Sequence, residues 1–353
     1  MDRRPFISIV MPVYNAGKDV SRMIESIQVQ TLEEWELIVV DDCSTDNTCE
    51  VIEEFCKLDN RIRLFRQEKN EGPGSAKNLG IKKTRGEYLT FADSDDWIER
   101  DTFSIIKENI NSNTEIVIFG LYRDIYTQKG EMLESNEILS PIVKMKCKED
   151  VLKMVPSLDQ QRLFAYAWNK VYRKDIVDRN NVRFSDKRFG EDYDFNISFF
   201  NYINNGIILD KAFYHYIKKN SESLTEKYLP DYYKINLDRF LKMKKLMVDN
   251  GGYNENVRQM IMTSYIRHLL MAAARLYDKR GNIKRKARIE KVKKMLNENL
   301  TKEAIEYSKA NTLSGKVCNG VLKTKSVYLI LLFGKALWWI QNDAKGFYEK
   351  IKK

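Results

Sequence analysis

The sequence has few histidines and no C-x-x-C pair of cysteines, and this limits the kinds of metal site and catalytic mechanism that it can form. Among its 353 residues only His215 and His268 are histidines, so mechanisms that need a multi-histidine metal cage are nearly excluded. The five cysteines are odd in number and form no C-x-x-C pair, which predicts reduced thiols in a cytoplasmic protein rather than a zinc–thiolate site. Carboxylates must therefore carry any chemistry.

Long apolar runs are also absent. No stretch of ~18 uninterrupted apolar residues occurs, so no classical transmembrane helix is predicted. The charged residues 1–6 run directly into a strand-like segment, and we expect no secretory signal peptide. With 43% hydrophobic and 31% charged residues, the composition excludes a disordered chain and favours one large domain or two modest ones.

Positive charge is concentrated near the end of the sequence. Residues 281–353 contain 17 Lys/Arg and 6 Asp/Glu, a balance of +11, whereas residues 1–280 have a balance of −1. Such a basic tail favours an anionic partner, which is either nucleic acid or an anionic membrane surface.

Strand-like and helix-like segments alternate over the first 125 residues. Strands are predicted at 7–13, 35–40, 61–65, 88–92 and 115–122, and helices at 18–30, 46–58, 74–84 and 101–110. This alternation predicts βαβ crossovers and an α/β fold with a mainly parallel central sheet flanked by helices. The rest of the chain is predicted as α+β over 126–220, then helices at about 231–249 and 254–278, a basic segment at 284–300 and a last element at about 326–351.

Three polar clusters follow predicted strands, at residues 12–15, 41–46 and 93–96. Ligands bind at the carboxyl ends of the strands in sheets of this kind, so the clusters predict a binding site at one edge. The D-S-D-D at 93–96 presents oxygen ligands that suit Mn²⁺ or Mg²⁺ and a coordinated phosphate. Its alternative is a turn that caps the next helix, and the same alternative holds for the cluster at 41–46.

A further acidic pair, Glu191–Asp192, precedes a predicted helix. Its alternative role is to complement the helix dipole.

Six motifs follow one another along the first 192 residues. They are P-V-Y-N (12–15), D-D-C-S-T-D (41–46), N-E-G-P-G-S-A-K-N-L-G (70–80), D-S-D-D-W (93–97), W-N-K-V-Y (168–172) and G-E-D (190–192). In these motifs and their order the sequence resembles inverting family 2 glycosyltransferases with the GT-A fold, of the bacterial cell-surface glycan type, over about residues 6–220. The resemblance implies a GT-A catalytic domain at 1–220, with a nucleotide-sugar half at about 1–125 and an acceptor half at about 126–220. Residues 221–353 would form a helical, basic C-terminal region.

The resemblance also implies roles for single residues. Nucleotide and donor binding would fall to Pro12, Tyr14, Asn15, Asp42, Asn70, Lys77, Asn78, Asp93 and Asp96. Tyr14 would stack on the base, Asp42 would accept its imide proton, and Lys77 stands where the family often has arginine. Asp93 and Asp95 resemble the metal-binding D-x-D pair.

Catalysis and acceptor binding have their own candidates. Asp192 resembles the catalytic base, and Glu191 would orient the acceptor or the base. His215 lies where related enzymes often supply a third metal contact, with a core histidine between aromatic residues as the alternative. Trp168 resembles an acceptor-side aromatic, with a core tryptophan as the alternative.

The predicted function is metal-dependent, inverting transfer of a sugar from a nucleotide sugar, a UDP-sugar being favoured, to a glycan or lipid-linked acceptor. One alternative is a nucleotidyltransferase-like enzyme, although the Gly-rich phosphate loop expected after the first strand is absent. The other alternative is a non-enzymatic nucleic-acid-binding protein with a basic tail, which the neutral body disfavours.

The apolar stretch at 327–340 is too short to span a membrane, since a helix of this length measures ~21 Å. Its Trp338 and Trp339 and the many flanking lysines predict peripheral attachment to an anionic membrane surface. We therefore expect a cytoplasmic protein on the inner face of the cell membrane that binds no nucleic acid. A helix packed on the body, or a homo-oligomer interface, is the alternative.

Overall fold

The computed structural model of the chain describes residues 4–127, 129–187, 189–219, 229–310 and 312–342. The chain divides into two compact units, Met1–Ser221 and Glu222–Lys353. We call them the sheet unit and the helical unit.

The sheet unit alternates strands and helices through its first half. Its elements are β1 (Ile7–Val13), α1 (Val20–Gln28), β2 (Trp35–Asp41), α2 (Thr48–Leu58), β3 (Ile62–Arg66), α3 (Pro73–Lys83), β4 (Tyr88–Phe91), β5 (Trp97–Ile98), α4 (Thr102–Asn109), β6 (Ile116–Tyr126), β7 (Met132–Ile138), β8 (Val143–Met145), α5 (Lys148–Gln160), β9 (Lys170–Arg173), α6 (Lys174–Arg179), α7 (Glu191–Phe200) and β10 (Gly206–Lys219).

The strands form one sheet in the order β3-β2-β1-β4-β9-β6-β10-β5, with β7 beside β6 and β8 beside β10. β1 runs parallel to both β2 and β4, and β2 runs parallel to β3. β9 is antiparallel to both β4 and β6, and so separates the early parallel strands from the parallel pair β6 and β10. Every residue of β2 and β4 is buried, as expected for central strands covered on both faces.

The strands and helices predicted up to residue 125 are all present, with ends shifted by a few residues. The antiparallel strand β9 was not predicted, because its four residues are too few for a strand periodicity to stand out in the sequence.

A glycine sets the distance between α3 and the sheet. A Cβ atom on Gly80 would lie 2.4 Å from Cγ1 of Val10 in β1, so only glycine lets the two elements approach this closely. Lys77 lies one turn earlier on the same helix and is only 3% exposed. The close approach of α3 thus places a charged side chain inside the unit.

The helical unit is built around a buried helix. Its elements are α8 (Tyr232–Asp249), α9 (Glu255–Arg275), a 3₁₀ turn (Lys279–Gly281), α10 (Arg285–Asn297), α11 (Asn299–Tyr307), α12 (Leu313–Lys323) and α13 (Val327–Asn342). The helices α8, α11, α12 and α13 all pack against α9. α12 was not predicted, and the basic segment predicted at 284–300 is α10 followed by the start of α11.

The last predicted element, 326–351, corresponds to α13 up to residue 342, and the remainder lies outside the described residues. Ile330, Leu331 and Gly334 form the buried side of α13. Over the described residues, no helix is long and apolar enough to cross a membrane.

Two helical glycines of this unit should respond oppositely to alanine. A Cβ on Gly334 would lie 2.9 Å from the carbonyl carbon of Ala273, a backbone atom that cannot rotate away, whereas a Cβ on Gly320 would meet nothing within 4 Å. We expect Gly334→Ala to lower the free energy of unfolding by about 1–3 kcal/mol through overpacking. Gly320→Ala should raise it by up to about 1 kcal/mol through helix propensity. Urea unfolding followed by circular dichroism measures both, and equal stabilities would contradict the close packing of α13 on α9.

Candidate active site

The three predicted polar clusters lie at the carboxyl ends of neighbouring strands. Residues 12–15 end β1, residues 41–46 follow β2, and residues 93–96 follow β4. Since β1 is paired with both β2 and β4, these clusters meet at one edge of the sheet. This is the edge at which ligands bind in open α/β sheets.

Hydrogen bonds tie the first two clusters together. The Asn15 N–H donates to Oγ of Ser44 at 2.9 Å, and Oδ1 of Asn15 accepts from the N–H of Thr45 at 2.8 Å. Asn15 adopts φ 50°, a left-handed conformation that asparagine tolerates better than most residues. Tyr14 is 51% exposed beside this turn, so its ring is accessible for stacking, while Pro12 lies within β1.

Asp42 shapes the segment that leads into α3. Its carboxylate is buried and accepts the N–H groups of Glu71 and Gly72, both at 2.8 Å. Burial raises the pKa of Asp42, although the two backbone hydrogen bonds oppose the rise. Each carboxylate oxygen can accept a second hydrogen bond, so Asp42 can hold the backbone of residues 71–72 and still accept the imide proton of a nucleobase.

Two other predicted nucleotide-side residues lie in and before α3. Asn70 is exposed in the preceding loop. Asn78 donates to the carbonyl of Phe184 and accepts the N–H of the same residue, both at 2.9 Å. Its side chain therefore anchors the segment around residue 184, and the nucleotide contact predicted for it stays a prediction.

In the cluster at 41–46, Asp46 accepts the N–H of Thr48, the first residue of α2, at 3.0 Å. The N-cap of α2 is Asn47, so Asp46 lies one residue before the cap position, although it satisfies one N–H group of the first turn.

A buried ammonium group joins the predicted donor and acceptor sides. Nζ of Lys77 lies 2.5 Å from Oδ1 of Asp192 and 3.3 Å from Oε1 of Glu191, at the first turn of α7. Burial would lower the pKa of Lys77, but the neighbouring carboxylates, Asp192 foremost, outweigh it and raise the pKa. Burial likewise raises the pKa of Glu191, with Lys77 opposing the rise. The lysine is therefore held as a cation between carboxylates.

Asp192 is fixed from its other side by the backbone. Its Oδ2 accepts the N–H of Ala167 at 3.0 Å. The loop that carries Ala167 is held by Lys170, whose Nζ donates to the carbonyls of Leu163 at 2.8 Å and Tyr166 at 2.5 Å.

Asn196 of α7 holds the same loop, since its amide donates to the carbonyls of Phe164, Ala165 and Tyr166. Our sequence reasoning missed Lys170 and Asn196. The only sequence signal was a lysine inside the apolar W-N-K-V-Y strand, and it gave no indication of its partners.

The D-S-D-D turn concentrates negative charge. Burial raises the pKa of Asp93 to about 7, although Lys77 opposes the rise. Burial, with repulsion from Asp95 and Asp93, raises the pKa of Asp96 well above its usual range. The backbone N–H of Asp93 donates to the hydroxyl of Tyr214 at 2.9 Å, which fixes the turn against β10.

The same turn fits a divalent cation. Oδ1 of Asp96 accepts the N–H of Ile217 at 2.8 Å, but Oδ2 is buried and no hydrogen bond of good geometry reaches it, although the Tyr214 hydroxyl is close enough to act on its pKa. Among the described residues, no group of three or more His, Cys, Asp or Glu side chains is arranged to hold a metal. Two carboxylates still suit Mg²⁺, which is usually bound by one or two of them together with substrate phosphates.

His215, predicted as a possible metal ligand, forms hydrogen bonds with two carboxylates instead. Its Nδ1 lies 2.8 Å from Asp124 and its Nε2 lies 3.0 Å from Glu99, while its ring stacks between Trp97 and Tyr122. Both ring nitrogens thus face carboxylates, and a metal contact would require one of these hydrogen bonds to break. The structure favours the alternative of a histidine between aromatic residues.

Trp168 is also placed in the core. It is 3% exposed and stacks on Tyr166 and Tyr214, with ring centroids 4.5 and 4.0 Å away. Its ring faces are covered on both sides, so the structure does not support direct contact with an acceptor.

Comparison with known proteins decides the family. Residues 8–180 match the model of Glycosyl transferase family 2. EpsJ of Bacillus subtilis (strain 168), named an uncharacterized glycosyltransferase, is 30% identical over 358 residues, which cover 97% of this chain and 99% of EpsJ. The chain belongs to glycosyl transferase family 2. It is a glycosyltransferase, and this decides against the nucleotidyltransferase and the non-enzymatic alternatives.

Solved structures show the fold. The poly(ribitol-phosphate) beta-N-acetylglucosaminyltransferase TarS of Staphylococcus aureus is 24% identical over 266 residues, which cover 73% of this chain and 43% of TarS. The crystal structure of TarS 1–349 in complex with UDP-GlcNAc matches with a TM-score of 0.63 at 18% identity and covers 94% of this chain and 91% of that one.

The mannosyltransferase PcManGT from Pyrobaculum calidifontis, in complex with GDP-Man and Mn²⁺, matches with a TM-score of 0.51 at 13% identity and covers 97% of this chain and 89% of that one. The predicted GT-A architecture with a helical C-terminal region is confirmed.

The buried lysine should stabilise the sheet unit. Replacing it in Lys77→Met would leave Asp192 and Glu191 without their cation, and we expect the free energy of unfolding to fall by about 3 kcal/mol, as for other broken buried pairs. Lys82→Met on the same helix removes an exposed lysine and should change it by less than about 0.5 kcal/mol. Lys77→Arg, which keeps the charge, should recover part of the loss. Urea unfolding of the three variants is the measurement, and equal effects of the two methionine variants would contradict the paired role of Lys77.

Proposed function

We propose that this enzyme transfers a sugar from a nucleotide sugar, in first place a UDP-sugar, to a glycan or lipid-linked acceptor in cell-surface polysaccharide synthesis, with inversion at the anomeric carbon. The observation that carries the proposal is the acidic turn 93–96, at the strand edge, linked electrostatically through buried Lys77 to the pair Glu191–Asp192. TarS, crystallised with UDP-GlcNAc, supports the choice of a UDP-sugar. PcManGT was crystallised with GDP-Man, so the nucleobase of the donor has to be determined by experiment.

The proposed chemistry is a single displacement. The acceptor hydroxyl forms a bond to the anomeric carbon, the bond from that carbon to the diphosphate breaks, and the nucleoside diphosphate leaves with the electron pair. The hydroxyl proton passes to a carboxylate oxygen of Asp192. In-line attack inverts the configuration and needs no enzyme nucleophile.

The surroundings of Asp192 suit a base. Lys77 and the N–H of Ala167 each hold one carboxylate oxygen of Asp192, and together they fix its orientation in the first turn of α7. Glu191 shares the same lysine and lies beside Asp192, where it can orient the acceptor or the base.

A Mn²⁺ or Mg²⁺ ion, when bound, would act as a Lewis acid toward charge on the departing diphosphate. Asp93 and Asp95 are its candidate ligands. Asp96 lies next to this pair, but its carboxylate is fully buried and its Oδ1 accepts the N–H of Ile217, so the donor-sugar contact that the resemblance implies would require the turn to rearrange.

We further propose that the enzyme is cytoplasmic and lies peripherally on the inner face of the cell membrane. The balance of +11 over residues 281–353 supports this location. A homo-oligomer is the competing use of the same region.

The metal role predicts that Asp95→Ala abolishes turnover while the fold stays intact. The assay offers a panel of UDP-, GDP- and dTDP-sugars with Mn²⁺ and measures release of free nucleotide. Asp101→Ala, which removes another exposed carboxylate in the same segment, should keep full turnover. Full activity of the wild type in EDTA would refute the metal role, and no release from any donor would refute sugar transfer from these nucleotides.

The assignment of the base predicts different outcomes for matched amides in α7. Asp192→Asn removes the proton acceptor, and turnover should fall by ~10²–10⁴ with donor affinity nearly unchanged. Asp194→Asn makes the same change two residues later, where the carboxylate pairs with Lys187 at 3.2 Å, and should leave turnover near the wild-type value. If Glu191→Gln is inactive and Asp192→Asn is nearly wild-type, the roles of the pair are reversed.

A further inference from the structure

The helical unit contains a pocket lined by lysines. It lies among α10, α11 and the start of α13, has a volume of about 450 Å³, and is lined by Lys293, Leu296, Asn297, Lys302, Ile305, Lys325 and Val327. The three lysines come from separate segments, namely α10, α11 and the turn before α13. No acidic residue is among the lining side chains. The pocket therefore combines three cationic groups with an apolar wall.

Two of these lysines form no ion pair within the described residues. Lys293 pairs with Glu290 at 2.9 Å on the surface of α10, whereas neither Lys302 nor Lys325 forms an ion pair with a described side chain. Lys325 adopts φ 54°, so a tight turn fixes the position of its backbone beside Val327. Uncompensated lysines around a cavity favour a ligand that carries negative charge.

An exposed apolar face begins next to the pocket. Val327 lines the pocket and is the first residue of α13, and Tyr328 and Leu329 directly after it are 66% and 47% exposed. Leu332 and Trp339 are 65% and 56% exposed and follow at helical spacing, while the opposite side of α13 is buried on its own unit. We call the exposed side, Leu329, Leu332, Ala336 and Trp339, the outer face.

These two features together point to one occupant. We propose that the lysine pocket binds the phosphate headgroup of an anionic lipid while the outer face of α13 lies in the membrane–water interface. The proposal deepens, and rests on, the membrane attachment put forward under "Proposed function". A free phosphate would use the lysines but not the apolar face, and a second copy would bring another strongly basic region against this one. An anionic membrane uses both, with Tyr328 and Trp339 at the depth that amphipathic aromatic residues prefer.

The test is co-sedimentation of the full chain with vesicles of phosphatidylcholine alone or mixed with phosphatidylglycerol. The wild type should bind the mixed vesicles, bind the neutral vesicles weakly, and dissociate as salt rises. The double variant Lys302→Gln/Lys325→Gln should bind the mixed vesicles about 30-fold more weakly, since each lysine near an anionic surface contributes about 1 kcal/mol. Lys57→Gln/Lys153→Gln makes the same charge change at exposed lysines of the sheet unit and should bind as the wild type does.

The outer face has its own variant. Leu332→Ser/Trp339→Ser should bind both kinds of vesicle more weakly and should keep its oligomeric state in sedimentation velocity. Dissociation of a wild-type dimer by this variant would assign the face to a second copy and overturn the proposal. Equal binding of the lysine double variant and the wild type, or binding of inorganic phosphate by calorimetry without binding of vesicles, would overturn it as well.

Failure here can be told apart from failure of the proposed reaction. Nucleotide release from a soluble nucleotide sugar, measured without vesicles, should be the same in all these variants, since none of the substituted residues belongs to the candidate active site. Loss of vesicle binding with unchanged nucleotide release is thus the expected pattern.

Discussion

The candidate active site depends on the ion pairs of the buried Lys77. Its side chain is nearly inaccessible, and the carboxylates beside it offset the cost of burying its charge. Its partners come from α7, more than a hundred residues later, and the charge of Asp93 acts on it from the end of β4. Removing the lysine would leave its carboxylate partners buried without their cation. The close approach of α3 to β1 at Gly80, the position of α7 and the turn after β4 are therefore mutually dependent.

Carboxylates nevertheless outnumber that cation. Asp93, Asp96, Glu191 and Asp192 are grouped near one lysine, and burial raises the pKa of three of them. Burial and mutual repulsion thus oppose ionisation of all these carboxylates together, and further positive charge would favour it. This is the physical reason for proposing a divalent cation at the turn 93–96, where it would also accompany the nucleotide diphosphate.

The sequence predicted the parts of the fold that local patterns determine. Apolar runs and helical spacing located the strands and helices of the first 125 residues, and the polar clusters after β1, β2 and β4 predicted where those loops would meet. Pairings between distant residues gave no such signal. The antiparallel position of β9, the support of Asp192 by Lys170 and Asn196, and the two carboxylates on His215 all depend on contacts between distant segments. The short helix α12 was missed although Leu313, Val317 and Val321 recur at helical spacing, because its two glycines argue against a helix.

The two units have opposite electrostatic characters, and this separation has a physical use. The site in the sheet unit is rich in carboxylates and binds, in our proposal, a cation and a diphosphate. The helical unit carries the excess of lysine and, in our proposal, faces anionic lipid. Fields of exposed charges are screened within about 8 Å at physiological salt, so neither region needs to cancel the other. If the same charges were mixed on one surface, the lysines would pair with the carboxylates. Acidic residues occur in the helical unit as well, but none lines the pocket, so Lys302 and Lys325 remain available to phosphate groups.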